Sequence, residues 1–444
     1  MRGLLVLALV ACGGSKDDDP PEDTSGDGGP TVTTPAGTST DPTPFTPPRE
    51  WCLPLELSAT RTLTPSDDVQ AALDAAAPGD VLALSAGTYA LDIAPWTLGT
   101  NGVSLVGATG DADDVVVDGA FGPSDLLVIE APDVTVAHIT FKRSFFRGIR
   151  VTPPEGVAVD GVRIYGVVVE DPGAEAVRVE SDATGRFYAD DGEVACSSLR
   201  VTDIGRDRQR IACAVSGVHL ERTRGWTVND NIVEGFWCPE HPSAPAIFVG
   251  DGARDTVVER NQVRDSAIGI QLGLGEGGGR RMWDDAPCLE GGAQHYDGVV
   301  RNNTVVVIDR GLVGSADGFL AGVALQSACG SSVLHNTVYS DDQPGGAAIE
   351  FSHATTTGIV VNNLTNHGLA RRDGSPMVNE FNTENFDAIW FLYTPDWDVH
   401  LNPGTPEGQA LDDGTDAYVE LCPEDMDGQL RDERPDVGAD ELRF

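Results

Sequence analysis

One short motif recurs five times in the second half of the chain, and its spacing constrains the fold more than any other feature. In each copy a valine is followed three positions later by an asparagine. A second motif, a small residue followed by an apolar-x-apolar triplet, precedes every copy. The asparagine lies 13 or 14 positions after the first apolar residue of the triplet in four copies. In the remaining copy the spacing is 33 positions, because an insertion intervenes. A fixed spacing with insertions at one place indicates a solenoid.

The repeated asparagines are interpreted as structural corners and not as ligands. The triplets predict short strands with one face inward, and such strands must stack on their neighbours in order to bury that face. Asparagine tolerates the left-handed backbone conformation, and its amide can hydrogen-bond to the asparagine one coil away. We therefore expect both a turn and a ladder at Asn231, Asn261, Asn303, Asn336 and Asn363.

Other segments carry patterns that fit the same architecture. Residues 66–76 predict a capped amphipathic helix, residues 103–107 and 115–119 predict the first coil, and residues 427–441 form a Gly- and Asp-rich tail. Together with the repeat, these segments resemble the right-handed parallel β-helix proteins of the pectin-lyase-like superfamily over residues 60–444. The resemblance implies an all-β, single-stranded right-handed parallel β-helix of about nine or ten coils with an N-terminal capping helix. That superfamily includes lyases, hydrolases, esterases and proteins without known chemistry, so the resemblance implies a fold and not a reaction.

The first residues predict export and lipid anchoring. Residues 1–12 form a short apolar signal peptide behind one arginine, and its end resembles a bacterial lipobox in which Cys12 is lipidated. Gly13 follows this cysteine, where an Asp commonly retains such lipoproteins on the inner membrane, so an outer-membrane or cell-surface location is favoured. Residues 13–48, rich in Asp, Pro and Thr, predict a disordered linker. We assign the β-helix with its N-terminal cap to residues 49–400 and a tail that packs on it to residues 401–444.

The charge balance excludes one class of partner. The net charge is −41, and only two of the 29 basic residues are lysines. A chain without a basic surface patch cannot neutralise the phosphates of a nucleic acid, which argues against nucleic acid as a partner. Anionic polymers would also be repelled unless divalent cations such as calcium intervene. The only membrane contact predicted is the lipid anchor, and a monomer is favoured.

Eight cysteines in an exported chain predict disulfides. With Cys12 lipidated, seven remain, so at most three pairs form and one thiol is left over. Stacked strands lie about 4.8 Å apart and bridged Cα atoms within about 7 Å, which favours residues on consecutive coils. Cys288 and Cys329 meet this condition. Cys213 has two open alternatives, Cys196 and Cys238.

The outward positions of the triplets predict one aligned column. It comprises Arg150, Arg178, His219, Phe248, Gln271, Ala324 and Glu350. Long insertions with aromatic residues flank the column, among them Trp237, Trp283 and Tyr296. Because aromatic faces stack on sugar rings and polar strips hold hydroxyls, the pattern predicts a carbohydrate-binding groove for an extracellular polysaccharide.

An enzymatic alternative remains open. In a polysaccharide lyase, Arg150 and Arg178 would share the roles of base and carboxylate partner. A cation such as calcium would be held nearby by Glu180, Asp190 and Asp191. In a glycoside hydrolase, the candidate acids are Asp317, Asp341 and Asp342. No lysine falls in the predicted groove, and no lyase calcium signature or complete hydrolase motif is recognised. A non-catalytic binding protein is therefore preferred.

Overall fold

The computed structural model describes residues 48–209, 213–239, 243–285, 288, 292–341, 345–406 and 408–443. Cys12, the predicted linker up to residue 47 and Asp342 lie outside the described residues. Among the described residues, no helix reaches the length and apolarity that crossing a bilayer requires.

Three long parallel sheets dominate the structure, and their strands are numbered β1 to β38 in chain order. The twelve-stranded sheet A contains β1 (Arg61–Leu63), β2 (Val81–Leu84), β5 (Ser104–Gly107), β8 (Thr135–Ala137), β11 (Arg163–Tyr165), β14 (Glu193–Ala195), β17 (Thr227–Asn229), β21 (Val257–Glu259), β25 (Val299–Arg301), β29 (Ser331–Leu334), β32 (Gly358–Val361) and β35 (Val378–Glu380).

Two further sheets complete the wall. The eleven-stranded sheet B contains β3 (Gly87–Ala90), β6 (Val115–Asp118), β9 (Thr140–Lys142), β12 (Val168–Glu170), β15 (Ser198–Arg200), β18 (Ile232–Glu234), β22 (Gln262–Arg264), β26 (Thr304–Val307), β30 (Thr337–Ser340), β33 (Leu364–Thr365) and β36 (Thr383–Glu384). The ten-stranded sheet C contains β4 (Trp96–Leu98), β7 (Asp125–Ile129), β10 (Arg147–Val151), β13 (Glu175–Val179), β16 (Ser216–Glu221), β19 (Ile247–Gly250), β23 (Ile268–Leu272), β27 (Ala321–Gln326), β31 (Ala347–Ser352) and β34 (Leu369–Arg371).

The remaining elements are short. A three-stranded parallel sheet D joins β20 (Ala253–Arg254), β24 (His295–Tyr296) and β28 (Ala328–Cys329) at the corner between sheets C and A, and β37 (Phe391–Tyr393) pairs antiparallel with β38 (Asp398–Leu401). The helices are α1 (Val69–Asp74), α2 (Asp203–Arg206) and α3 (Arg310–Val313), with 3-10 turns at Ala112–Asp114, Ala388–Trp390, Thr394–Asp396 and Asp416–Leu421.

The chain visits the three sheets in the order A, B, C, and each round forms one coil. In the described part of the chain, β2 to β34 make ten complete coils, β1 precedes them, and β35 and β36 begin another. The predicted all-β parallel solenoid is confirmed. Helix α1 lies before the first complete coil, and its Val69, Ala72 and Leu73 join the main core. Gln70 in this helix exchanges hydrogen bonds with the backbone of Thr97 on β4, the edge strand of sheet C.

The core is a set of stacked apolar rows. Every second residue of a strand points inward, so equivalent positions of successive coils lie one above another. On sheet C the inward row is fully buried and runs through Ile149, Val177, Val218, Ile247, Ile270, Val323 and Ile349. The β-branched residues of this row suit a pleated surface, and their stacking gives the continuous interior that no single coil could form.

Asparagines line the corner between sheets A and B. Asn231 donates its side-chain N–H to the Oδ1 of Asn261 at 2.9 Å, and the same contact repeats through Asn303, Asn336 and Asn363. The ladder continues to Asn382, a residue that the motif did not include. The left-handed conformation, however, falls one residue earlier, at Asp230, Arg260, Asn302, His335, Asn362 and Phe381. The expectation that the ladder asparagines themselves adopt that conformation is wrong, because their amides must point into the corner.

Two terminal segments cover this corner from outside. Residues 48–55, the N-terminal strap, run towards the earlier coils. The contacts that hold the strap are Gln262 Nε2 to Pro48 O, Arg49 to Asp427, Cys52 to Cys196, Tyr165 Oη to Leu53 O, and Leu55 N to His138 Nε2. Residues 415–441, the C-terminal tail, cover the later coils, where Asn302 bonds to Glu424 O and Arg431, and Asn362 bonds to Thr415 O.

Three disulfides form among the described cysteines. Cys288–Cys329 is the predicted pair and is confirmed. Cys213 pairs with Cys238, which decides between its two alternatives, and Cys196 pairs instead with Cys52 of the N-terminal strap. Cys422 is the free thiol and is buried.

Candidate functional site

The predicted column exists as a row of paired residues on the outward face of sheet C. Arg150 pairs with Arg178, Arg178 with His219, and the row continues in register through Phe248, Gln271, Ala324 and Glu350. Each residue is therefore one strand spacing, about 4.8 Å, from the next.

Carboxylates engage the two arginines of this row. Arg150 forms a charge-assisted hydrogen bond with Glu180, and its side chain remains 33% exposed. The Nη2 of Arg178 lies 2.7 Å from a carboxylate oxygen of Glu221, and Glu175 and Glu180 each lie 3.5 Å from other guanidinium nitrogens. Both guanidinium groups are consequently held in fixed orientations.

His219 occupies the middle of the row. Its Nε2 lies 3.1 Å from the Oε1 of Glu221, and its ring packs against Phe248 with centroids 4.6 Å apart. Burial lowers the pKa of His219, and the nearby Arg178 lowers it further. Burial opposes ionisation of Glu221, but the hydrogen bond with His219 and the charge of Arg178 lower the pKa of this carboxyl to about 2. The pair is therefore a neutral imidazole beside a carboxylate at neutral pH.

Arginines from neighbouring coils extend the charged surface. Arg147 lies 3.4 Å from Asp125 and 3.3 Å from Glu175. Further along the row, Asp251 lies 2.8 Å from Arg222 and 2.7 Å from Arg280. We call the outward face of sheet C with these side chains the charged face. Its members are Arg147, Arg150, Arg178, His219, Arg222 and Arg280 with Asp125, Glu175, Glu180, Glu221 and Asp251.

Several polar atoms of the charged face lack hydrogen bonds. Four buried atoms find no hydrogen-bond partner among the described residues: the Nε atoms of Arg147, Arg178 and Arg222 and the Oε2 of Glu175. Each of the four lies at ion-pair distance from an oppositely charged group. Buried polar groups in folded proteins are nearly always satisfied, and the exceptions point to bound water or a ligand.

The far end of the row differs in character. Gln271 is 2% exposed and donates its amide to Gly273 O at 2.8 Å, so it supports the adjacent loop. Glu350 forms an ion pair with Arg372 and accepts a hydrogen bond from Ser352. Ala324 separates these two residues, so the charge-rich part of the row ends near Phe248.

The aromatic residues of the insertions pack inward. Trp237 and Tyr296 are 7% and 1% exposed, and Tyr296 lies on β24 of sheet D. Phe248, which belongs to the outward row, is also covered and is 5% exposed. Trp283 is half-buried and donates its indole N–H to Gly252 O. The guanidinium of Arg281 is sandwiched between Tyr188 and Trp283 and pairs with Asp190. These rings hold the loops on the coils, which removes the expected sugar-stacking walls from the groove.

The predicted acids lie away from the charged face. Asp341 is exposed where β30 ends and accepts a hydrogen bond from Tyr339 Oη at 2.7 Å. Asp317 is half-buried in the loop before β27. The acids expected to hold a cation, Glu180, Asp190 and Asp191, each have an arginine beside them. Arg150 binds Glu180, Arg281 binds Asp190, and Arg224 lies 3.7 Å from Asp191.

Seven members of the charged face were not predicted from the sequence. Asp125, Arg147 and Glu175 are the first residues of β7, β10 and β13. The other four come from parts of the chain that meet beside His219. Glu221 is at a strand end, Arg222 and Asp251 are at two corners, and Arg280 is in an insertion. Glu221 alone gave a signal, since a residue two positions after an outward residue also points outward.

One solved structure among the comparisons with known proteins supports this architecture. No family model matches the chain, and no curated protein matches it. Among solved structures, pectate lyase Pel9A is 13% identical with a TM-score of 0.54, and the match covers 87% of this chain and 98% of that chain. The polygalacturonase from Erwinia carotovora ssp. carotovora is 14% identical with a TM-score of 0.40, covering 77% and 97%. The Azotobacter vinelandii mannuronan C-5 epimerase AlgE6 A-module is 15% identical with a TM-score of 0.44, covering 71% and 92%.

The likeness to pectate lyase Pel9A shows the fold alone: the chain is a right-handed parallel β-helix.

Proposed function

We propose that this chain is an exported protein that binds an extracellular polysaccharide on the charged face. One observation carries the proposal: arginines, carboxylates and a histidine lie on the outward face of one sheet, and four of their buried polar atoms have no hydrogen-bond partner among the described residues. A polymer with repeating hydroxyl groups offers donors and acceptors at regular intervals, which suits such a row.

The charges of this face favour a neutral or weakly acidic polymer. Five arginines face five carboxylates, so the face is close to neutral in a chain whose net charge is −41. Arg150 and Arg280, whose side chains are 33% and 68% exposed, are the cations best placed to contact a ligand. A paired guanidinium retains free N–H donors for sugar hydroxyls.

Binding of the full chain to immobilised polysaccharides, measured by surface plasmon resonance, tests the proposal. We expect Arg150→Ala to weaken binding at least about tenfold, a loss of one charge-assisted contact. The matched control is Arg163→Ala on sheet A, which removes a similar, partly exposed pair with Glu193 and should leave the affinity within about twofold. Equal effects of the two substitutions, or no binding to any neutral or acidic polysaccharide, would refute the assignment.

Cleavage is a second candidate, and the pair of His219 and Glu221 favours it. A neutral imidazole held by a carboxylate is suited to accept a proton. If the chain cleaves its ligand, wild-type protein releases reducing ends or unsaturated products, and His219→Gln removes this activity while binding persists. Absence of products from every bound polysaccharide leaves binding as the function.

Export and anchoring belong to the same proposal. Three disulfides support an oxidising compartment. Lipidation of Cys12 would hold the β-helix at the outer membrane or cell surface. We expect Cys12→Ala to shift the protein from the membrane fraction to the soluble fraction of a producing bacterium. A membrane fraction that is unchanged by the substitution would contradict the anchor.

A further inference from the structure

A cavity of about 260 Å³ lies beside the N-terminal strap at the corner of sheets A and B. Cys52 and Pro54 of the strap form one wall, and the turns between the two sheets in four consecutive coils form the rest. These coils precede Asn231, where the asparagine ladder begins, so the ladder does not fill this part of the corner. One water takes a share of about 30 Å³ in the liquid, so the cavity has room for a small organic molecule.

One hydrogen-bond donor of this cavity has no acceptor. His138, in the turn after β8, is only 4% exposed. Its Nε2 accepts the N–H of Leu55 at 2.9 Å, so the proton of the neutral ring is on Nδ1. This Nδ1–H donates no hydrogen bond within the described residues. Because buried polar groups are nearly always satisfied, the unused N–H indicates bound water or a ligand.

The neighbours of His138 keep this edge of its ring open. Gly166, one coil further along, has φ +58°, and a Cβ atom there would lie 2.9 Å from His138 Nδ1. A side chain at this position would therefore cover the N–H. The imidazole packs edge-to-face on Tyr165 with centroids 5.8 Å apart, and Tyr165 Oη donates to Leu53 O at 2.9 Å. The direction of the N–H is consequently fixed.

An acceptor and an apolar wall lie in the same cavity. Asp111 accepts the N–H of Asp113 with its Oδ1 at 3.0 Å, and its Oδ2 has no hydrogen bond in the part of the chain that the structure describes. The ring of Tyr165 and the Cys52–Cys196 disulfide belong to one apolar cluster that borders the cavity. The cavity thus combines a donor, an acceptor and an apolar surface, as small-molecule sites do.

The charges around the cavity favour a neutral ligand. An anion would be repelled by the carboxylate of Asp111. A cation would meet the Nδ1–H of His138 and the guanidinium of Arg163, whose Cζ lies 4.7 Å from the centroid of the Tyr165 ring. Burial lowers the pKa of His138, and the charge of Arg163 lowers it further, so the imidazole carries no charge that would attract an anion.

We propose that this cavity binds one neutral hexose. One hydroxyl oxygen of the sugar accepts the Nδ1–H of His138, a second hydroxyl donates to Asp111, and the C–H face of the sugar packs on Tyr165. The site lies at the corner of sheets A and B and is separate from the charged face on sheet C.

Ligand-observed NMR and isothermal titration of the full chain with D-glucose, D-mannose and D-galactose test the site. The corresponding uronates and 2-amino sugars have the same rings with a negative or a positive charge. We expect at least one neutral hexose to bind at one equivalent per chain, in the millimolar range that a ligand of this size reaches. Its charged counterparts should bind at least about tenfold more weakly.

Two substitutions and one control assign the binding to the cavity. His138→Phe keeps a ring but removes the N–H and should abolish hexose binding. Asp111→Asn should weaken it about tenfold, since a charged acceptor is lost. The control is Asp114→Asn, which removes an exposed carboxylate of the same 3-10 turn outside the cavity and should leave the affinity within about twofold.

Crystals of the wild type soaked in each neutral hexose make the test independent of how the variants fold. We expect a sugar oxygen within about 3.2 Å of His138 Nδ1. Ordered water alone in the soaked cavity, tighter binding of a charged counterpart, or hexose binding that a folded His138→Phe variant retains would overturn the proposal. A chain that binds hexose here but binds no polysaccharide would refute only the assignment of the charged face.

Discussion

Two sides of the same β-helix use polar side chains differently. At the corner of sheets A and B, buried asparagine amides satisfy one another coil after coil, and the N-terminal strap and C-terminal tail cover the corner. On the charged face, several buried atoms of the arginines and of Glu175 find no hydrogen-bond partner within the described residues. The corner is therefore built for stability.

The difference teaches where function can reside in a solenoid. A satisfied neutral ladder needs no ligand, because every donor already has its acceptor. Paired charges with unused donors add little stability, since desolvation offsets much of the attraction, but they retain capacity for another partner. Substitutions at the corner should consequently lower the stability of the fold, whereas substitutions on the charged face should weaken ligand binding.

The largest loss of stability is expected at the disulfide that holds the strap to the corner. Cys52 and Cys196 are separated by 144 residues, and the double substitution Cys52→Ser with Cys196→Ser should cost about 4 kcal/mol in urea unfolding. Its matched control is the Cys288–Cys329 pair, with a separation of 41, for which chain entropy predicts about 1 kcal/mol less. A strap disulfide that costs less than this control would show that the strap adds little to the corner.

The ladder comes next. Asn303 is fully buried and donates to Val258 O, Arg301 O and Asn336, so Asn303→Ala leaves several groups unsatisfied. We expect a loss of about 3 kcal/mol in urea unfolding, with polysaccharide binding unchanged in the folded protein. Asn101→Ala, at an exposed turn, should cost less than about 0.5 kcal/mol. If the two variants are equally stable, the ladder is not a source of stability.

Acid should weaken the interior before it alters the charged face. His295 is fully buried on sheet D, and burial lowers its pKa from 6.5 to about 3. Its folded pKa lies below its unfolded value, so its stabilising contribution is full above pH 6.5 and is lost as the pH falls towards 3. Between pH 7 and pH 4.5 we expect this residue to account for about 2 kcal/mol of lost stability.

Urea midpoints at the two pH values measure this effect. His295→Gln should show a smaller loss on acidification than the wild type, whereas His353→Gln, at a half-buried position, is the control. The same acid dependence in wild type and His295→Gln would assign the loss to other groups.

The smallest change in stability is expected on the charged face. Arg150→Ala removes a pair whose guanidinium is 33% exposed, so urea unfolding should change by less than about 1 kcal/mol while polysaccharide binding falls. A loss above about 2 kcal/mol would mean that this face, like the corner, serves the fold.

Much of the architecture could be predicted because it is periodic. The triplets placed Arg150, Arg178 and His219 in one row, and the structure pairs them in register. Consecutive coils likewise predicted the Cys288–Cys329 disulfide. The left-handed corner position was misplaced by one residue, because a motif gives the spacing of a turn but not which backbone conformation each residue takes.

The candidate site was predicted only in part. Trp237 and Tyr296 were expected to line a groove, but they pack against the protein. The sequence of a loop does not show whether its aromatic side chains point to solvent or to the coils. Glu221 and Arg280 were missed because they come together only when the insertion folds over the coil.

By itself, the sequence determined the repeat, the order of strands and the alignment of outward side chains, since each depends on residues close together in the chain. Only the tertiary structure decided the contacts between distant segments: Cys52 with Cys196, Arg49 with Asp427, and His400 with Asp427. Such contacts arise from the path of the chain over the finished β-helix, and no local pattern of residues encodes that path.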